Sequence, residues 1–217
     1  MEQAILTTTQ KKVIELVGRE PRLASIYLTG GTALAAYYLL HRFSDDLDFF
    51  YSEQLDILFL HEFIKDIQST IGANKVIFDH IYDRNQFLFI TDNGELKVEF
   101  VKYSFTQIEP PIMRDGMRID SIRDIAANKL MALIDRFEPK DFIDLFFLLQ
   151  DRKLEEVRSD AEKKFDAKIG DIFLGSEFAK VRRIQILPRM IKPVTIDELK
   201  EFFGEQAKKL SPYILDQ

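Results

Sequence analysis

Three strand-like runs lie almost back to back in the middle of this chain: VIFDHIY (76–82), QFLFIT (86–91) and ELKVEFVKY (95–103). They are the clearest β signal in the chain, and the last of them alternates polar with apolar residues from Glu95 to Phe100, the period of a half-buried strand. Asp92-Asn93-Gly94 separates the last two, and Asn-Gly is a strong hairpin signal because both residues accept positive φ. These runs commit the chain to a sheet, so its flanks decide the fold class. Upstream, QKKVIELVGRE (10–20) carries a helical apolar pattern. ASIYLT (24–29) reads as a short buried strand running into Gly30-Gly31, and TALAAYYLLH (32–41) returns to helix with no breaker. DDLDFFY (45–51) alternates again and predicts a strand; residues 54–71 predict an amphipathic helix that stops at Gly72.

Residues 104–120, with Pro110-Pro111 and Gly116, read as a linker. Everything after it is helical in pattern. Ser121 and Asp124 make an acidic variant of the capping box before IAANKLMALIDRF, and Pro139 suits the first turn of KDFIDLFFLLQDR. Further helices are expected near 153–167, 171–187 and 196–210. The fold class is therefore α+β. Residues 1–110 are expected to form a mixed sheet with flanking helices, and residues 111–217 a helical bundle.

Composition narrows the chemistry. The 217 residues contain no Cys and three His, which excludes a disulfide framework, thiolate zinc sites and Cys nucleophiles, and disfavours a His-rich metal site. Thirty basic against 36 acidic residues give a net charge of −6, so the surface as a whole is no nucleic-acid binder. A local basic run, Lys180, Arg182, Arg183, Arg189 and Lys192, reads as a solvated face or as a surface for an RNA acceptor or acidic partner. The 19 Phe are expected in the core. No stretch approaches ~18 apolar residues, and the opening MEQAILTTTQKK lacks a basic segment followed by an apolar one. The expectation is a cytoplasmic chain with no membrane span.

Three features carry possible chemistry. Gly30-Gly31-Thr32 sits between a strand and a helix, where backbone amides approach an anion easily. Asp46 and Asp48 stand two apart on a strand, so both carboxylates leave one face, and two like charges there call for solvent or a bridging cation. Oxygen donors without nearby His or Cys suit Mg²⁺ or Mn²⁺. Glu99 lies within LKVEFVKY on the face opposite Val98 and Phe100. Read singly, each has an ordinary use: a tight turn, a solvated acidic edge, an exposed polar residue with Lys97 beside it. Read jointly, they are the parts for two-metal nucleotidyl transfer, with Asp46, Asp48 and Glu99 as metal ligands and catalytic acids.

The segment TGGTALAAYYLLHRFSDDLDFF (29–50) resembles the signature of the DNA polymerase beta-type nucleotidyltransferase superfamily, and more narrowly the AbiEii/AbiGii abortive-infection toxin family. Its GGT turn and the Arg42, Ser44, Asp46, Leu47, Asp48, Phe49 register match that family's pattern, and the VTIDELKEFF run (194–203) is similar too. In the helical half, Lys129, Asp135-Arg136 and Lys140-Asp141-Phe142-Ile143-Asp144 resemble the family's later motifs, with Lys140 where Arg is usual. The resemblance implies that Gly30, Gly31, Thr32, Arg42 and Ser44 bind nucleotide phosphate, and that Lys129 neutralises triphosphate charge. It implies too that Asp141 or Asp144 completes the catalytic set, with the helical half finishing the active-site cleft. The expected activity moves a nucleoside monophosphate from an NTP to a hydroxyl on an RNA end or a protein. The expected setting is the toxin of a toxin–antitoxin or phage-defence pair, with a cognate antitoxin. The alternatives are a small-molecule nucleotidyltransferase and a catalytically silent nucleotide- or partner-binding module. The pattern leaves the oligomeric state open.

Overall fold

A computed structural model describes residues 5–210 of the chain. The first four residues, part of the opening stretch read above for a leader, and the last seven lie outside the described residues. The chain forms two compact units. One comprises the residues up to Tyr37 with Ser44–Thr106 and Pro110–Ser121; the other comprises Tyr38–Phe43, Gln107–Glu109 and the chain from Ile122.

The first unit starts with α1 (Thr8–Arg19). The Thr7 hydroxyl accepts the Gln10 N–H at 3.1 Å while the Gln10 side chain accepts the Thr7 N–H at 2.9 Å, a complete capping box. β1 (Tyr27–Thr29) leads into α2 (Gly30–Leu34), and then come β2 (Leu47–Tyr51) and α3 (Ile57–Ile71). Asp56 caps α3 through the Leu58 and Phe59 amides, and Gly72 ends it at φ +67°. The remaining strands are β3 (Lys75–Ile81), β4 (Arg84–Thr91), β5 (Gly94–Lys102), β6 (Ile112–Arg114) and β7 (Met117–Ile119). They make one seven-stranded mixed sheet in the order β3-β4-β5-β2-β1-β7-β6. The β2–β5 and β1–β7 pairs are parallel and the others antiparallel. One face is apolar: Leu28, Leu47, Phe49, Phe87, Phe89, Val98 and Phe100 are buried on it, and the rings of Phe49 and Phe100 stack at 5.3 Å. His61 of α3 sets its ring edge-on to Phe87, which places that helix over this face.

Three local expectations change. The β4–β5 turn is centred on Asp92-Asn93, and the positive φ belongs to Gly94 (+124°), the first residue of β5, rather than to Asn93. Thr91 holds this turn by accepting the Asn93 N–H and donating to the Gly94 carbonyl. The supposed linker contains β6 and β7, joined through Asp115 and Gly116, both at positive φ. Finally, the helix after the glycines is α-helical only to Leu34, widens into a π-helical turn (Ala35–Leu39), and stops at Leu40 with φ +52°. No residue there is a helix breaker. Backbone pairing stops it: the His41 carbonyl accepts from Ile191 and Lys192, and the Phe43 N–H donates to Arg189, so 41–43 must run extended.

The second unit contains α4 (Ile122–Asp135), α5 (Pro139–Leu148), α6 (Leu154–Phe165), α7 (Asp171–Ala179) and α8 (Ile196–Leu210). The last predicted turns of α7 are a 3-10 segment, Lys180–Arg183. α4 packs on α6 and α7 on α8, around Phe142, Phe178 and Phe203. Asp124 puts its carboxylate on the Ile108 and Glu109 amides and on Lys164, all within this unit.

Candidate active site

The two glycines sit where β1 meets α2. Gly30 has φ +71°, and a Cβ built on it would lie 2.3 Å from Asp48 Oδ2. Only glycine permits both the left-handed backbone and that approach. The pairing of β1 with β2 explains it, since Thr29 is the register partner of Asp48. Thr32 ties the turn to the acidic segment by donating from its hydroxyl to the Asp46 carbonyl. A Gly30→Ala substitution is expected to lower stability by about 1–3 kcal/mol through backbone strain and displacement of the Asp48 carboxylate. An unchanged urea midpoint would show that the turn absorbs a Cβ.

Across the sheet, Asp48 is the register partner of Glu99 in the parallel β2–β5 pair. Register partners point to the same face, so these two acids project together, opposite the apolar side formed by Leu47, Phe49, Val98 and Phe100. Glu99 is buried and engaged: Lys97 Nζ lies 2.9 Å from its Oε1, and Arg84 Nη1 lies 3.2 Å from its Oε2. Lys97 also reaches Asp46 Oδ2 at 3.4 Å. Burial alone would push the Lys97 ammonium down, but the bond to Glu99 and the charges of Asp46, Glu99 and Asp48 outweigh it and raise its pKa. Three carboxylates thus converge on a demand for positive charge, which Lys97 and Arg84 meet in part. Among the described residues no three His, Asp or Glu side chains are gathered closely enough to hold a metal ion as they stand. The donor set nevertheless fits a hard divalent cation: oxygen only, on one sheet face, with cationic charge already drawn to it.

In the second unit, Asp144 is the hub of a buried ionic network. Arg42 grips it bidentately (Nε to Oδ1 2.6 Å, Nη2 to Oδ2 2.7 Å), His41 Nε2 lies 2.7 Å from Oδ1, and Lys129 Nζ lies 2.7 Å from Oδ2. Lys129 also donates to Asp141 at 2.8 Å, and the half-exposed Arg136 reaches Asp141 at 3.2 Å. Burial alone would raise the Asp144 pKa. Lys129 and Arg42, aided by hydrogen bonds from Arg42 and His41, hold it well below the ordinary carboxylate range. Burial pushes the His41 imidazole down, further than Asp144 pushes it up, with Arg42 and Lys129 adding to the fall. His41 is therefore neutral near pH 7.

A family model for the nucleotidyl transferase AbiEii toxin, type IV toxin–antitoxin system, matches residues 16–213. The chain belongs to this family. An uncharacterised protein of Aquifex aeolicus is 30% identical to this AbiEii-family chain over 175 residues, 74% of this chain and 76% of the relative. A structure titled a putative nucleotidyltransferase from Helicobacter pylori is similar with TM-score 0.63 and 22% identity, covering 98% of this chain and 96% of the other. JHP933 from the same organism gives TM-score 0.61 at 21% identity, covering 94% and 89%. MenT4, a nucleotidyltransferase toxin of Mycobacterium tuberculosis, gives 0.56 at 15%, covering 96% and 83%. These likenesses are of fold. General nucleotidyl transfer is the chemistry of the family, and no helix of the described residues is long and apolar enough to cross a membrane.

The AbiEii-family motif residues thus separate into two sets. Gly30, Gly31, Thr32, Asp46, Asp48 and Glu99 lie in the first unit, as does Ser44, whose carbonyl accepts from Gln10 at 2.8 Å. Arg42, Lys129, Asp141 and Asp144 lie in the second, where the charged groups of Arg42 and Lys129 are spent on the two aspartates. Arg136 pairs with Asp141. Sequence reasoning set Lys97 beside Glu99 but missed the second cation of the acidic face, Arg84. Lys97 shares the parity of Glu99 on β5, and the β4–β5 register puts Arg84 on the same face, where its reach to Glu99 is a matter of tertiary contact. It also missed Asp120, fully buried, which accepts the Thr29 hydroxyl at 2.7 Å.

Proposed function

We propose that this AbiEii-family protein is a Mg²⁺- or Mn²⁺-dependent nucleotidyltransferase that moves a nucleoside monophosphate from an NTP to a hydroxyl of an RNA end or a protein. In this reading it acts in the cytoplasm as a toxin held by a cognate antitoxin. The observation that supports it most is the Asp48–Glu99 register beside a glycine turn that only a missing Cβ allows. Asp46, Asp48 and Glu99 would hold the divalent ion, which when bound supplies Lewis-acid polarisation of the phosphoryl group and of the acceptor hydroxyl.

The rest of the chemistry is assigned to this chain's own groups. The backbone amides of Gly30 to Thr32 receive phosphate oxygens. Glu99 takes the proton of the acceptor hydroxyl as its oxygen attacks the α-phosphorus; the bond to the β-phosphate breaks and pyrophosphate leaves. Lys97 and Arg84, at 2.9 and 3.2 Å from its two oxygens, hold the Glu99 carboxylate in place. In the second unit, Arg42, Lys129 and Arg136 set three cations against the two carboxylates of Asp141 and Asp144. That surplus of positive charge favours a triphosphate electrostatically.

A second reading, a catalytically silent nucleotide-binding module, draws on one observation: Lys97 already spans Asp46 and Glu99. One experiment separates the two. The protein is incubated with each α-labelled NTP, total cellular RNA and lysate, with Mg²⁺ or with chelator. Label entering RNA or protein, strongest from one NTP and lost with chelator, is the expected result. Mg²⁺-dependent NTP binding with no labelled product would establish the silent module instead.

A further inference from the structure

Away from the acidic face, the outer edge of the first unit's sheet carries a second unusual surface. β3 is the terminal strand of the sheet, and six of its seven residues are exposed. It is joined to β4 by a two-residue turn, Tyr82-Asp83, closed by the Ile81–Arg84 pair. The closing pair of such a hairpin exchanges both hydrogen bonds, so Ile81, Asp79 and Ile77 bond inward. Val76, Phe78 and His80 then direct their N–H and C=O groups to the open edge.

That edge is also apolar. Phe78 is 43% exposed, Tyr82 is 92% exposed, and Ile77 and Ile81 are exposed on the opposite face of the strand. His61 of α3 stands edge-on to Phe78 with ring centres 4.5 Å apart. One turn earlier on the same flank of α3 come Ile57 and Leu58, and Leu58 is 80% exposed. Apolar surface therefore runs from the strand edge onto the helix.

We propose that this edge is the interface between two copies of the chain, with β3 pairing antiparallel to β3 of a second copy about a two-fold axis. Side-chain chemistry selects the register. With Ile77 opposite itself, Val76 faces Phe78 and Lys75 faces Asp79, and the symmetry makes each contact twice. With Phe78 opposite itself, Lys75 would face Ile81 and Asp79 would face Ile77, leaving every charge against an apolar partner. Neither Lys75 nor Asp79 has an ion-pair partner within its own chain among the described residues. Charges on an edge strand commonly block pairing. Here their signs are opposite and self-complementary, so they steer the pairing.

Sedimentation velocity on the full chain tests this. The expected species is a dimer of twice the 25.4 kDa chain mass. Lys75→Asp alone or Asp79→Lys alone turns two attractive cross-strand contacts into repulsive ones and is expected to weaken the dimer about tenfold. The double substitution exchanges the charges and is expected to restore it. Both side chains are exposed, so circular dichroism should match wild type in all three variants. A chain that stays monomeric at every concentration overturns the proposal. So does a dimer indifferent to both single substitutions, or a double variant no tighter than either single one. A monomer whose β3 amides gain exchange protection only when a different protein is added overturns it too.

Discussion

Replacing Asp144 with alanine is expected to remove about 3–5 kcal/mol of folding stability, the scale seen when one member of a buried ionic set is deleted and its partners stay behind. Arg42 and His41 would lose their carboxylate outright, and Lys129 would keep only Asp141. Deleting the carboxylate also leaves buried N–H donors unmet. Asp144→Asn keeps an acceptor but not the charge, so its loss should be smaller. Denaturant midpoints followed by circular dichroism measure both, and a loss below ~1 kcal/mol for the alanine variant would show that Arg42 and Lys129 find other partners.

The same network sets an acid dependence whose sign follows from the shifts. Asp144 has a depressed pKa, so its contribution is full above the unfolded value of ~3.9 and is lost as pH falls toward the folded one. His41 is depressed as well; the unfolded chain takes up its proton first, below ~6.5, and stability begins to fall there. Lys129 is raised, so its share persists to alkaline pH and goes only above ~10.4. Wild type should therefore lose stability between neutral pH and pH 5 through His41 before Asp144 titrates. Stability that is flat over that interval would mean that His41 takes up its proton equally readily in the folded and the unfolded chain, and stability that rises toward pH 5 would mean it is already charged in the fold.

For Asp48→Asn the expected outcome is the reverse combination: nucleotidyl transfer down by about 10³-fold or more, with the fold intact. Loss on this scale follows when a principal electrostatic group is taken from a reacting site. Stability should hold because asparagine fits the same space beside Gly30 and removes one of two like charges placed as neighbours by the Asp48–Glu99 register. The paired readouts are label transfer from NTP and the thermal midpoint. A variant that transfers label at the wild-type rate would sink the assignment of this face as the reaction centre. A variant that is inactive because it has unfolded would show a lowered midpoint.

Much of this molecule is legible along the chain. The alternation in DDLDFFY emerges as β2 with Leu47, Phe49 and Tyr51 buried, because side-chain direction in a strand has a period of two whatever lies beside it. Asp56 and Gly72 bracket α3 through bonds and backbone angles that involve only near neighbours. Other features escaped for the same physical reason in reverse. β6 and β7 are three residues each, too short for a pattern, although Asp115-Gly116 is a turn signal that marks their hairpin. The helix after Gly31 has good helix formers throughout, yet pairing of 41–43 with 189–192 overrides propensity at Leu40.

The sequence by itself determined the α+β class, the glycine turn, and that Asp48 and Glu99 leave the polar sides of their strands, since each depends on rotation per residue over a few positions; Asp46, expected on the same strand, precedes β2 by one residue. Only the tertiary structure decided that β2 lies parallel to β5 with Asp48 beside Glu99, that Lys97 and Arg84 supply charge to that face, and that Arg42 and Lys129 spend theirs on Asp144. Parallel neighbours have no short turn to set their register. The value of a buried charge depends on which distant groups exclude water from it and which face it.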